Sequence, residues 1–300
     1  HAKKPGLTTG GLNQHLFQDI LVYQDESHAA ANALNYAQAM VAANDGHVAG
    51  LMFGFMSPYP ASVYMEASPD LWVAAQQRAV EEADAVEQKL KAKIAAGAPG
   101  TELRRKDVFG AEAGRVLAIH GRYADTIVLG WSKKGQQKDL ARDGTAMERD
   151  VFDSILFESG RPVILVPANF TASQPPKRIL IAWSPEREAT RAVHEALPLL
   201  QGAELVTILA VAEGAPIHGE EDAGADIARH LARHSVKTEV KHVPANGRTA
   251  QAVIKDEARY AGAELIVMGG YGHSRLSQWI LGGVTRDMLA DLTTPVLMSH

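Results

Sequence analysis

The chain has 300 residues, long enough for two cores of ordinary size, because domains most often run about 100–150 residues. Its 46% hydrophobic and 22% charged residues lie near globular averages, and a net charge of -5 argues against a nucleic-acid reader, which needs a basic face. Cysteine is absent, which excludes disulfide frameworks, thiolate metal sites and cysteine nucleophiles and fits a reducing cytoplasm.

The polar, glycine-rich start HAKKPGLTTGGLNQ is set apart from the fold as an arm or an addition. A first strand follows in DILVYQDES, Asp19 to Ser27, and a second in HVAGLMFGF. Met52 to Trp72, with Met56, Pro58, Tyr59, Pro60, Tyr64 and Met65, reads as an apolar-aromatic loop, better suited to packing at an inter-domain seam than to a lid. A helix is predicted over Ala74 to Ile94, a third strand in ELRRKDV, a fourth ending GRYADTIVLG at Gly130, and a fifth in RPVILVP. The stretch from Pro167 to Lys177, with prolines also at 175 and 176 and no apolar periodicity, predicts a linker.

Beyond it the same order recurs, the mark of internal duplication. RILIAWSPE, Arg178 to Glu186, repeats the first strand, AELVTILAVA the second, SVKTEVKHV the third, ARYAGAELIVMG the fourth and TPVLMSH the fifth. Ser184 before Pro185 reads as the N-cap of a helix over Arg187 to Leu200. Continuous apolar runs such as Ile127-Val128-Leu129 and Leu265 to Met268 lack period-two alternation, so these strands are buried on both faces. The class is α/β, with units over 16–168 and 176–300, each a mostly parallel five-stranded sheet covered by helices. Ligands of such sheets bind beyond the carboxyl ends of the strands, so the loops after the first and fourth strands matter most.

After the second fourth strand comes GGYGHSRLSQWILGGVTRDML, with Gly269, Gly272, Gly282 and Gly283. Glycine after a buried strand permits positive φ and lets main-chain N–H groups approach a ligand. The pair Gly282-Gly283 precedes a helix start at Val284, whose free N–H groups and partial positive charge suit phosphate. Thr285 offers a hydroxyl there.

Gly269, Gly272 and Gly282 match G-x2-G-x9-G, and here the chain resembles the universal stress protein family, whose nucleotide-binding members carry that spacing followed by Ser or Thr. Gly283 stands where the hydroxyl residue is usual, which leaves Thr285 as the substitute. The resemblance covers nearly the whole chain and implies flavodoxin-like, adenine-nucleotide-hydrolase-like three-layer units of strand order 3-2-1-4-5. It further implies ATP or its mono- or diphosphate as ligand, with Mg2+ as an optional companion, and a cytoplasmic stress-response or regulatory role toward a protein partner. The positions it implicates are Ala182, Ser184, Val211, Gly269, Gly272, His273, Gly282, Gly283, Val284 and Thr285. Ser184 replaces the family's strand-one Asp, and the end of the second strand near Ala210-Val211 is where the family holds adenine.

The first half keeps Asp25 and Ser27 but lacks the loop glycines after Gly130, where Trp131-Ser132-Lys133-Lys134-Gly135 follow. It reads as a degenerate copy serving as a built-in dimer partner, with Asp25 reduced to a loop or capping carboxylate and Trp131 a candidate cap over the pocket. Pairing of two chains stays open. Three other features carry less. Lys133-Lys134 reads as a solvated loop. His230 and His234 share a helix face without an evident third metal ligand, and His273-Ser274 lacks an orienting acid. No metal site, membrane span or nucleic-acid contact is expected. Two alternatives to nucleotide-dependent regulation remain, a nucleotide-free scaffold or chaperone-like pseudo-dimer and a slow ATPase, and no catalytic residue is assigned. A dinucleotide dehydrogenase is disfavoured because its glycines belong after the first strand.

Overall fold

The apolar runs become strands, and the polar-apolar mixed stretches between them become helices. The computed structural model describes residues 17–42, 45–56, 69–98, 100–132, 148–212, 223–271 and 283–300. The first half runs β1 (Asp19–Tyr23), α1 (His28–Val41), β2 (His47–Met56), α2 (Pro69–Gly97), β3 (Glu102–Phe109), a 3-10 turn, α3 (Ala113–Gly121), β4 (Thr126–Trp131), α4 (Glu148–Glu158) and β5 (Val163–Pro167). The second runs β6 (Arg178–Trp183), α5 (Arg187–Glu195), α6 (Leu197–Gly202), β7 (Leu205–Ala212), α7 (Ala223–Arg233), β8 (Thr238–Pro244), α8 (Ala250–Ala261), β9 (Leu265–Gly269), α9 (Gly283–Ala290) and β10 (Val296–Ser299).

Each half keeps the expected 3-2-1-4-5 order with parallel neighbours, yet the two sheets are not separate. They form one sheet of order β3-β2-β1-β4-β5-β10-β9-β6-β7-β8. The join is an antiparallel pair in which Val296 faces Leu165, Leu297 faces Ile164 and Met298 faces Val163. The physical reason lies in the fifth strands. Both are fully buried apolar segments, and an uncovered edge would leave a row of unpaired N–H and C=O groups beside them.

Alternation along each strand then sorts the core into two layers. Ile20, Val22, Ile179 and Ile181 face α1, α5, α6 and α7, while Leu21, Leu129, Leu180 and Met268 face α3, α4, α8 and α9. Both layers draw buried residues from both halves, so the seam lies inside the core. Arg105 on β3 ties α2 to the sheet through Asp84 and through Glu87 at 3.5 Å, and its guanidinium helps hold the Glu87 carboxyl below its ordinary range, behind the larger effect of Lys91.

Three sequence expectations change. The helix expected over Arg187 to Leu200 breaks in two at Ala196, because Pro198 in the first turn of α6 brings no N–H to continue the ladder of α5. Met52 to Met56 belong to β2 and Trp72 to α2, and the rest of the expected apolar-aromatic loop, 57–68, lies outside the described residues. The linker is packed: Phe170 and Ala172 rest on the core, the Phe170 ring lies 6.1 Å from that of Tyr36, and Ala168 O accepts from the Asn32 amide.

Candidate functional site

The carboxyl ends of β9, β6, β7 and β8 define the crevice of the second half. Ala182 sits in register with Met268 of β9 and with Leu209 of β7, and Val211 pairs with Val243 of β8. Ala182, Val211 and Val284 are all partly buried against the same core layer, the one under α8 and α9. The structure therefore brings these three onto one side of the sheet at one end. They offer a half-exposed apolar surface of the kind a flat aromatic ring covers. Ser184 lies one residue past β6 and is half-buried.

Ser184 is not the helix cap. The N-cap of α5 is Glu186, whose side chain makes no capping bond, and the helix opens at Arg187. In the first half the aligned position is Ser27, which caps α1 by accepting from Ala30 N at 3.1 Å, and Asp25 Oδ1 accepts from Ser27 N at 2.8 Å. Asp25 thus serves as a turn carboxylate beside a cap. The Ser-Pro pair suggested a cap two residues too early: Ser184 and Pro185 lie between the end of β6 at Trp183 and the N-cap at Glu186.

Gly269 does not adopt positive φ. The left-handed residue of this corner is Tyr271, at φ 60°. What Gly269 supplies is the absence of a Cβ, since one built there would stand 2.6 Å from Ala189 N and 2.8 Å from Glu188 C, at the start of α5. Gly130 at the end of β4 is used in the same way, with Ala30 N 2.7 Å from its would-be Cβ and the Ala29 carbonyl closer still. This glycine therefore lets the first helix of each half approach the fourth strand, whether or not the loop beyond it keeps its glycines. Gly270 is constrained from the other half, because its Cβ would meet Leu156 Cδ2 at 2.8 Å.

Across the crevice, α9 opens at Gly283, which is exposed and, among the described residues, has no neighbour within 4 Å of a would-be Cβ. The N-terminus of α9 is thus accessible. Thr285, by contrast, is 3% exposed, and its Oγ1 accepts from Tyr271 N at 3.2 Å. Its oxygen joins the helix to the corner after β9 and faces inward. Gly272, His273 and Gly282 lie outside the described residues, as do His273-Ser274 as a pair, Lys133-Lys134 and Gly135.

In the first half, Trp131 does not cover a pocket. It is the last residue of β4, 8% exposed, and its Nε1–H donates to Leu289 O of α9 at 2.8 Å, across the seam. Its ring stands edge-on to Phe152 at 5.9 Å. Residues the sequence passed over cluster at this seam. Tyr271 donates its hydroxyl to Asp153 of α4 and lies 5.1 Å from the Phe157 ring, which also meets His300 at 4.5 Å. The one signal was Tyr271 itself, a bulky residue inside Gly-Gly-Tyr-Gly. His230 and His234 gain a neighbour in His194 of α5, 5.1 Å from His230. Burial first, then these two imidazoles and Arg233, lower the His230 pKa. Among the described residues no group of three or more His, Asp or Glu side chains is arranged to hold a metal ion, and no helix is long and apolar enough to cross a membrane.

Comparison with known proteins places the fold. A universal stress protein from Archaeoglobus fulgidus DSM 4304 superposes over 93% of this chain and 94% of its own, with a TM-score of 0.66 and 16% identity. A candidate universal stress protein of Pseudomonas aeruginosa UCBPP-PA14 covers 95% of this chain and 93% of its own, with a TM-score of 0.53 and 15% identity. At these identities the likeness is one of fold. Among curated proteins nothing matches. The model of the universal stress protein family matches residues 16–148 and again 175–300, once in each half, and the chain belongs to that family.

Proposed function

We propose that the second half binds an adenine nucleotide, ATP or its mono- or diphosphate, and that the protein acts in stress response or regulation by changing its contacts with a protein partner. The supporting observation is the pairing, at one end of one sheet, of a half-exposed apolar surface (Ala182, Val211, Val284) with the accessible N-terminus of α9 at Gly283. The first suits a base and the second suits phosphate oxygens, through unpaired N–H groups and the helix dipole. The residues present fit the group in that sense. Gly272 and Gly282 complete the spacing in sequence, with His273 beside them and Ser184 at the ribose side. Mg2+ would accompany a di- or triphosphate as counter-ion, without a protein site of its own. We read the chain as two duplicated units, over 16–168 and 176–300, working as an intramolecular pseudo-dimer in the cytoplasm, with no catalytic residue assigned.

Titration calorimetry with ATP, ADP and AMP, together with mass spectrometry of nucleotide released on denaturing the purified protein, tests the reading. Micromolar binding lost in Gly272→Val or Gly282→Val is expected. Wild-type protein that neither carries nor binds nucleotide would overturn it. A second reading, a nucleotide-free scaffold, draws on the internal use of Gly269 and Thr285, which gives both residues a purpose without ligand. It predicts that the two loop-glycine variants behave as wild type.

A further inference from the structure

The corner after β9 is built against the other half of the molecule. Gly270 N donates to Ser299 O at 2.9 Å, and the space its missing Cβ leaves is filled by Leu156 of α4. Tyr271, the next residue, is held at φ 60°, a conformation that a side-chain-bearing residue keeps only where its surroundings impose it. Three sets of contacts impose it. Its N–H donates to Thr285 Oγ1 of α9, its hydroxyl donates to Asp153 of α4, and its ring packs on Phe157 and, at 6.5 Å, on Phe152. His300 closes the corner, with Nδ1 3.2 Å from Gly270 O and its ring against Phe157.

Two of these groups flank the glycine segment: Tyr271 is where the chain leaves β9, and Thr285 lies in the first turn of α9. Among the described residues, the two are joined to each other by the Tyr271 N–H bond to Thr285 Oγ1 and to α4 of the first half through Tyr271. We propose that α4 is the platform that fixes these two ends, with Asp153 a positioning residue for ligand binding in the second half. This rests on the nucleotide reading above. It assigns the first half, which lacks the loop glycines, a direct part in a site it does not itself form. A hydroxyl-carboxylate bond in a part-buried seam is charge-assisted and directional, so it fixes orientation better than ring packing alone.

The test compares Asp153→Asn and Tyr271→Phe with Arg191→Ala, which removes another bond across the seam, from Arg191 to Gly160 O at 3.2 Å, away from the corner. Two measurements are made on the full chain: ADP affinity, and hydrogen exchange of the amides at 269–271 and 283–289. Both corner variants are expected to weaken ADP about tenfold and to speed exchange at those amides, with melting temperature close to wild type, while Arg191→Ala changes neither. Unchanged ADP affinity in Asp153→Asn and Tyr271→Phe, or an equal loss in Arg191→Ala, would overturn the assignment. If wild type binds no ADP, the nucleotide reading fails, and the platform is then judged on exchange alone: faster exchange confined to the corner variants supports it, and unchanged exchange overturns it.

Discussion

The two halves share one architecture and part company at the residue after the glycine near the end of the fourth strand. Counting on from the strand-ending glycines Gly130 and Gly269, Trp131 aligns with Gly270; counting back from Pro162 and Pro295, Phe152 aligns with Thr285 and Asp153 with Arg286. In the first half the corner is filled by a tryptophan that reaches α9 of the second, and the helix beyond it presents a fully buried Phe152. In the second half the corner is emptied by glycine, so that Leu156 can enter, and the helix presents a hydroxyl to the backbone. Each corner is completed by the last helix of the other half. Where the second copy places a glycine, the first places a tryptophan that is structure for the other half.

The largest expected effect tests whether the strand-ending glycines are equivalent. Gly130→Val and Gly269→Val should each destabilise by about 3 kcal/mol or more in denaturant unfolding, because the new side chain meets helix backbone, which cannot rotate away. A Gly269→Val protein of wild-type stability with ligand binding alone reduced would break the equivalence and return Gly269 to the ligand. Trp131→Phe comes next. It keeps an aromatic ring, though a smaller one, and leaves Leu289 O without its buried donor; lost packing and lost donor together should cost about 1–3 kcal/mol or more and appear as earlier melting.

A smaller contrast concerns the helix starts. Ser27→Ala removes a side-chain cap and should cost about 1 kcal/mol, whereas Glu186→Ala removes none and should stay within about 0.5 kcal/mol, as read by urea midpoints. Equal losses would show that the Glu186 side chain itself caps α5 in solution. The smallest effect is a pH slope confined to the second half. The folded His230 pKa is depressed, so as pH falls below about 6.5 the unfolded chain takes up the proton first and stability drops, down to the lowered folded value. Melting curves between pH 7.5 and 5 should show this slope flattened in His230→Asn.

Most of the architecture was legible. Leu265 to Met268 and Val163 to Val166 are strands because an uninterrupted apolar run must be covered on both faces, and that requirement is local. The duplication showed through five pairs of segments, and the order within each half followed from the family resemblance. The site was legible only as positions. Glycine spacing named Gly269, but its missing Cβ admits the backbone of α5, eighty residues away in the chain, which no spacing reveals. Ser184 before proline looked like a cap, and only the path of the chain after β6 moved the cap to Glu186.

The sequence by itself determined the class and the repeat, which rest on hydrophobic pattern and chain neighbours, and its glycine spacing carried the family resemblance that implied the strand order of each half. Tertiary structure alone decided that two sheets become one through β5 and β10, that Trp131 turns into the seam, and that Tyr271 is gripped by Asp153. Those choices are made where residues more than a hundred positions apart compete for the same buried space and the same hydrogen-bonding groups, and a local pattern carries no record of that competition.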